Sequence, residues 1–254
     1  MKNRFFNLAA FIFAAFFTAS LSIALPAQAQ SSLNAQQKKE VQDLIGDYIK
    51  QHPEVILQSI RSMQERERGA EKQRGLNNLV TYRELITNDP TSPVGGNPKG
   101  DVTIVEFFDY NCGYCKRVYP TLKKLMAEDK NLRVVFKEFP ILSAQSELAA
   151  RAALATWRQD KSKYAQIHEE FITLRGGFTE SRILRIAGKL GLDLPKLKKD
   201  MRSSTMNKII MGNRQLAQQL GITGTPGFIV GDQIIPGAVD LQALKELVAK
   251  ARKG

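Results

Sequence analysis

Glu106-Phe107-Phe108-Asp109-Tyr110-Asn111-Cys112-Gly113-Tyr114-Cys115-Lys116 carries both cysteines of the chain, and the elements on either side of it decide the fold. Upstream, Asp101 to Asp109 alternates as a β-strand that ends in aromatics. Downstream, Cys112 to Glu128 reads as a helix, and Leu132 to Phe139, rich in Val and Phe, as a second buried strand. Strand, helix and strand in so short a stretch make a βαβ unit with two parallel neighbours in one sheet.

The spacing of the cysteines restricts their chemistry. A bridge over two intervening residues closes almost no loop, so structural stapling gains little from it. Zinc normally takes four ligands, and only His52 and His168 could supplement the pair, neither at ligand spacing. Covalent haem attachment needs a histidine after the second cysteine, where this chain has Lys116. Redox exchange remains, and no metal and no cofactor is expected. Cys112 falls at the first turn of a helix, where free backbone N–H groups and the helix dipole favour a thiolate. Cys115, one turn on, is expected to point inward. Cys112 then forms the mixed disulfide with substrate, and Cys115 resolves it.

Two further features belong with the pair. Glu106 shares its strand face with Val102, Ile104 and Phe108, which places a carboxyl group in an apolar setting. It either exchanges protons with Cys115 or is a structural carboxylate paired with Lys137 on the neighbouring strand, and the residues allow both. Gly224-Thr225-Pro226-Gly227-Phe228 sets a proline at the mouth of a strand. The Thr225–Pro226 bond there is either cis, giving a tight fixed turn, or trans at the start of an edge strand.

Working outward, Leu33 to about Asn88 reads as helical, with Val41, Leu44, Ile45, Tyr48 and Ile49 on one face and Pro53 opening a second helix. Such a stripe cannot stay bare, so it packs either on the main domain or on another copy of the chain; the second is expected, which makes residues 30–90 an oligomerisation arm joining two or three copies. Turn formers from Asp89 to Gly100 mark the boundary with a main domain, 91–254. Ser143 to Leu220 is almost wholly helical, and two short strands, Phe228 to Val230 and Gln233 to Ile235, and a helix, Leu241 to Ala251, close the chain. The order is βαβ, helical insertion at about 143–220, ββα.

Lys2 and Arg4, the apolar run Phe5 to Leu25 and Ala27-Gln28-Ala29 read as an export leader over residues 1–29, expected to be cleaved after Ala29; the alternative is an uncleaved membrane anchor, since the run is longer than an ordinary signal core. Of the formal charge of +12, that leader supplies two. The remaining basic residues are scattered among acids with no aromatic-studded motif, which argues against a nucleic-acid partner.

Taken together, the Glu106–Lys116 and Gly224–Phe228 motifs with a helical insertion between them resemble the DsbA-like branch of the thioredoxin superfamily, over roughly Ser92 to Gly254. The resemblance implies an α/β, thioredoxin-like fold and a protein thiol–disulfide oxidoreductase of the periplasm. It implies a cis Thr225–Pro226 bond packed against the cysteines, Glu106 as buried acid and Lys137 as its partner. Gly113, Tyr114, Thr225 and Pro226 are the residues expected to meet substrate. The arm segment Tyr48-Ile49-Lys50-Gln51-His52-Pro53-Glu54-Val55-Ile56 is similar to the oligomerisation segment of the ScsC-like subgroup. Gly113-Tyr114 departs from the proline–histidine pair of strongly oxidising DsbA proteins and resembles the pair of the DsbC isomerases. Unfolded or misfolded protein substrates and a membrane redox partner, DsbD-like for an isomerase or DsbB-like for a dithiol oxidase, follow from the resemblance. The rival from another class is a copper- or other metal-binding protein using the same two sulfurs.

Overall fold

Val102-Thr103-Ile104-Val105-Glu106-Phe107-Phe108 is β-branched or aromatic at nearly every position, a composition suited to a strand covered on both faces. It becomes the central strand of the protein. The computed structural model describes residues 33–253, so the leader and its cleavage site lie outside the described residues. No helix among the described residues is long and apolar enough to cross a membrane. The chain divides into two units, Met1–Gln58 and Ser59–Gly254.

In the first unit, α1 (Ala35–Gln51) starts at a capping box in which Asn34 and Gln37 satisfy each other's backbone N–H. Pro53 opens α2 (Pro53–Thr81), where its missing N–H costs nothing. The apolar stripe of α1 is real and bare: the helix buries no residue, and Leu44 is 72% exposed.

The second unit continues with α3 (Arg83–Thr87), β1 (Val94–Gly96), β2 (Val102–Phe108), α4 (Gly113–Glu128) and β3 (Leu132–Glu138). The helical insertion supplies α5 (Ala144–Gln159), α6 (Tyr164–Ile172), α7 (Glu180–Lys189), α8 (Leu194–Met201) and α9 (Ser204–Gln219), before β4 (Gly227–Val230), β5 (Gln233–Pro236) and α10 (Leu241–Lys253). The sheet runs β1-β3-β2-β4-β5. β2 and β3 are parallel, as the βαβ reading requires, while β1, β4 and β5 pair antiparallel. One sheet face, with Ile104, Phe108, Val134 and Phe136, packs under α4 and the alanine-rich side of α5. The other, with Val105, Phe107, Val135 and Ile229, is covered by Leu79, Ile86, Leu216 and Leu220.

The boundary expected near residues 89–100 lies inside this second unit. Leu79 and Ile86 are buried against the sheet, so the later part of α2 and all of α3 belong to the unit that holds the sheet. The glycines read as turn formers build an edge strand instead. A Cβ on Gly95 would come within 2.9 Å of the Phe136 ring, and Gly96 has φ +67. Only glycine lets β1 pass this close to β3 and turn away.

Candidate active site

The loop after β2 is tied down by one buried carboxylate. Asp109 accepts from the Asn111 N–H at 2.7 Å through Oδ1 and from the Ile141 and Leu142 N–H groups at 2.9 and 3.0 Å through Oδ2. Its carbonyl accepts from the Cys112 N–H at 3.0 Å. Asn111 Nδ2 donates to Ser143 Oγ at 2.8 Å, joining the loop to the start of α5. These bonds turn the chain sharply and deliver Cys112 as the N-cap residue of α4. Sequence reading passed over Asp109, because nothing local to Asp109-Tyr110-Asn111 foretells the Ile141–Leu142 turn that it holds.

At the cap, Cys112 Sγ accepts the Cys115 N–H at 3.3 Å, and its thiol donates to the Thr225 carbonyl at 3.2 Å. Hydrogen bonding from the Cys115 thiol, aided by the Thr225 side chain and by the N–H groups of Cys115 and Tyr114, outweighs burial and brings Cys112 down to about 5. The same contact, with burial and the nearby Glu106, pushes the Cys115 thiol far up. Cys115 is 0% exposed and points inward as expected, and both cysteines are free thiols. Cys112 itself is 4% exposed, whereas Tyr114 beside it is 58% exposed, with the Arg117 guanidinium 4.2 Å from its ring centre.

Across from the cap, the Thr225–Pro226 peptide is cis. It leads into β4, where Gly227 stands opposite Phe107 of β2, so the proline and the cysteines arrive at the same end of the sheet. A Cβ on Gly113 would touch nothing within 4 Å, which leaves the mouth of the site open at that residue.

Glu106 is 3% exposed, and burial, then the charge on Cys112, pushes it up to about 8. The expected pairing of Glu106 with Lys137 is not formed. In the register, Glu106 stands opposite Phe136 and Lys137 opposite Phe107, so their side chains leave opposite faces of the sheet. Lys137 Nζ donates instead to the Leu85 carbonyl at 2.6 Å and to Asp89 Oδ2 at 2.9 Å. Lys137 is thus part of the α3 contact and not of the thiol site. A one-residue difference in register separates the two outcomes, and the sequence does not state the register. His168, weighed above as a metal ligand, is buried with Nδ1 3.0 Å from the Tyr110 hydroxyl, and His52 lies in the first unit beside Glu54. No group of three or more His, Cys, Asp or Glu side chains able to hold a metal occurs among the described residues.

A parallel β2–α4–β3 unit flanked by antiparallel strands, interrupted by helices and carrying its cysteines at the start of α4, defines a thioredoxin-fold protein of the DsbA type. Residues 103–249 match the family described as DSBA-like thioredoxin domain, and the chain belongs to that family of thiol–disulfide enzymes. A thioredoxin-like oxidoreductase from Silicibacter pomeroyi DSS-3 is 45% identical, covers 68% of this chain and 98% of its own, and superposes with a TM-score of 0.64. ScsC of Proteus mirabilis in a transitional conformation is 29% identical, with 87% of this chain and 99% of that chain covered and a TM-score of 0.65. Disulfide bond formation protein D of Bacillus subtilis is 26% identical over 184 residues, 67% of this chain and 83% of that protein. The match to Na(+)/H(+) antiporter NhaA 1 of Salinispora arenicola spans only 26% of the antiporter's length. The DsbA-like and ScsC-like resemblances read from the motifs thus have direct counterparts among known proteins.

Proposed function

We propose that the protein is an exported, periplasmic thiol–disulfide oxidoreductase that acts on unfolded or misfolded proteins, with isomerisation or reduction favoured over net oxidation. The observation that carries this is the position of Cys112 Sγ, at the N-cap of α4 between the Cys115 N–H and the Thr225 carbonyl. In this reading Cys112 attacks a substrate disulfide as thiolate, forming one S–S bond and releasing the other substrate sulfur. Cys115 then displaces the substrate from Cys112, closing the Cys112–Cys115 disulfide, and its proton is relayed through the protonated Glu106 carboxyl, which gives up its own proton toward solvent and the released substrate sulfur. The Thr225 backbone, with Gly113, Tyr114 and Pro226, receives the extended substrate segment. Gly113-Tyr114 supplies no histidine cation between the cysteines, which supports the isomerase direction. A DsbD-like membrane partner keeps the pair reduced. The leader 1–29 is removed after Ala29, and the bare α1 stripe joins two or three copies.

The second reading, a dithiol oxidase reloaded by a DsbB-like partner, is favoured by the low value of Cys112. A stabilised thiolate stabilises the reduced form and so strengthens an oxidant. Trapping thiols in intact cells separates the two. A pair mainly reduced at rest supports the isomerase, and a pair mainly disulfide-bonded supports the oxidase. Among the described residues, the metal-binding rival would have to rely on the two sulfurs, one of them fully buried. Tight stoichiometric copper binding with no turnover of a model disulfide would favour that rival.

A further inference from the structure

Glu138 ends β3 and, like Glu106, turns a carboxyl group into the apolar core, where it is 1% exposed. Glu106 stands opposite Phe136 and Phe108 opposite Glu138, so the two carboxyls share one sheet face on adjacent strands. Tyr110 and Tyr164 both donate their hydroxyls to Glu138 Oε1, at 3.0 and 3.2 Å. The Tyr110 hydroxyl also lies 3.0 Å from Nδ1 of His168. Glu138 Oε2 and His168 Nε2 are buried without a hydrogen-bond partner. The node therefore joins the cysteine-bearing loop, the end of β3 and α6, three elements distant in sequence.

Among the described residues, the titratable groups facing Glu138 are Glu106 of β2, Asp109 and Tyr110 of the loop, and Tyr164 and His168 of α6. Behind Glu106 stand Cys112, Cys115 and Tyr119 at α4. None is a permanent cation. Lys137, next in sequence, leaves the other face, and burial holds His168 neutral by pushing it down to about 3. An unpaired charge in such a place is costly, and two negative charges on one buried face cannot both persist.

We propose that Glu138 is a positioning residue for the thiol–disulfide reaction, coupled with Glu106 as a buried carboxyl pair behind Cys115 and linked through Tyr110 to the loop that carries Cys112. This rests on the redox reading of Cys112 and Cys115. When a dithiol reductant passes two electrons to the disulfide, Cys112 is left as thiolate and Cys115 takes one proton from solvent. The new charge at Cys112 acts on Glu106, and through the shared face on Glu138, so both carboxyls sense the redox state.

The test is the carboxyl C=O region of the infrared difference spectrum between the full-length mature protein reduced with dithiothreitol and oxidised with glutathione disulfide. Two redox-sensitive carboxyl bands are expected. Glu138→Gln, which keeps an acceptor oxygen for both tyrosines, should lose one band and shift the other, and Glu106→Gln should do the reverse. Tyr110→Phe changes no carboxyl and should shift the Glu138 band alone. A single band, lost in Glu106→Gln and unmoved by Glu138→Gln or Tyr110→Phe, overturns the pair. Glutathione cycling followed on the same samples separates the failures: a wild type that cycles with one band refutes the pair alone, and one that does not cycle refutes the redox reading as well.

Discussion

At Cys112 one contact sets two acidities in opposite directions, because the hydrogen bond that stabilises the Cys112 thiolate holds the proton on Cys115. The proposed division of labour rests on it: replacing Cys112 with Ser should abolish exchange, while Cys115→Ser should accumulate mixed disulfides on non-reducing gels. Retained activity in Cys112→Ser would refute the site. Glu106 makes a different demand. Its value rises from 4.5 to about 8 on folding, so the native state binds more protons than the unfolded state between those limits. Stability from Glu106 is thus complete below 4.5 and is lost as the pH climbs to about 8. Glu106→Gln should therefore stabilise the protein by about 3 kcal/mol at pH 7 and lose that advantage at pH 4, as read by urea unfolding. An equal effect at both pH values would show Glu106 to be ionised in the fold. The cysteines were legible because their spacing limits their chemistry. Asp109 and Glu138 were not, since their roles depend on Ile141, Tyr164 and His168, far along the chain.

Among the elements, β2, α4, β3 and the helical insertion could be read from periodicity, and each falls within a residue or two of its expected limits. β1 could not, because Val94-Gly95-Gly96 is too short to alternate and its glycines signal a turn until Phe136 is placed against them. The register of β2 on β3 was equally hidden, and it is what moved Lys137 from the thiol site to the α3 contact. Burial lowers Lys137, opposed by Asp89, whose side chain is 18% exposed against 1% for the lysine. Asp89→Ala should then cost about 3 kcal/mol by leaving a buried ammonium with only the Leu85 carbonyl. Lys137→Met should cost less, because Asp89 can reach water. Neither change should move the thiolate midpoint of Cys112, measured on the same proteins. A shift in that midpoint would mean that Lys137 does act on the thiol site.

For the whole molecule, the open question posed by the fold is what covers α1. Val41, Leu44, Ile45, Tyr48 and Ile49 are all exposed along one helix face, too large an apolar stripe to leave in water. If copies of the chain cover it, the mature protein should scatter light as a dimer or trimer, and Leu44→Lys with Tyr48→Lys should reduce it to a single chain. Equal masses for the two would refute assembly through this face. The α1 helix and its apolar face were legible from the 3.6-residue period. The division of the chain was not, because Leu79 and Ile86 reveal their place only once the sheet exists for them to cover.

Everything proposed for the protein depends on Cys112 being a thiolate at neutral pH while Cys115 stays a thiol. Ultraviolet thiolate absorbance of the reduced protein, followed against pH with the oxidised protein as blank, reads both directly. One step with a midpoint near 5, lost in Cys112→Ser, is the expected result. A reduced protein with no thiolate until the pH passes the ordinary cysteine value of 9.0 would contradict it.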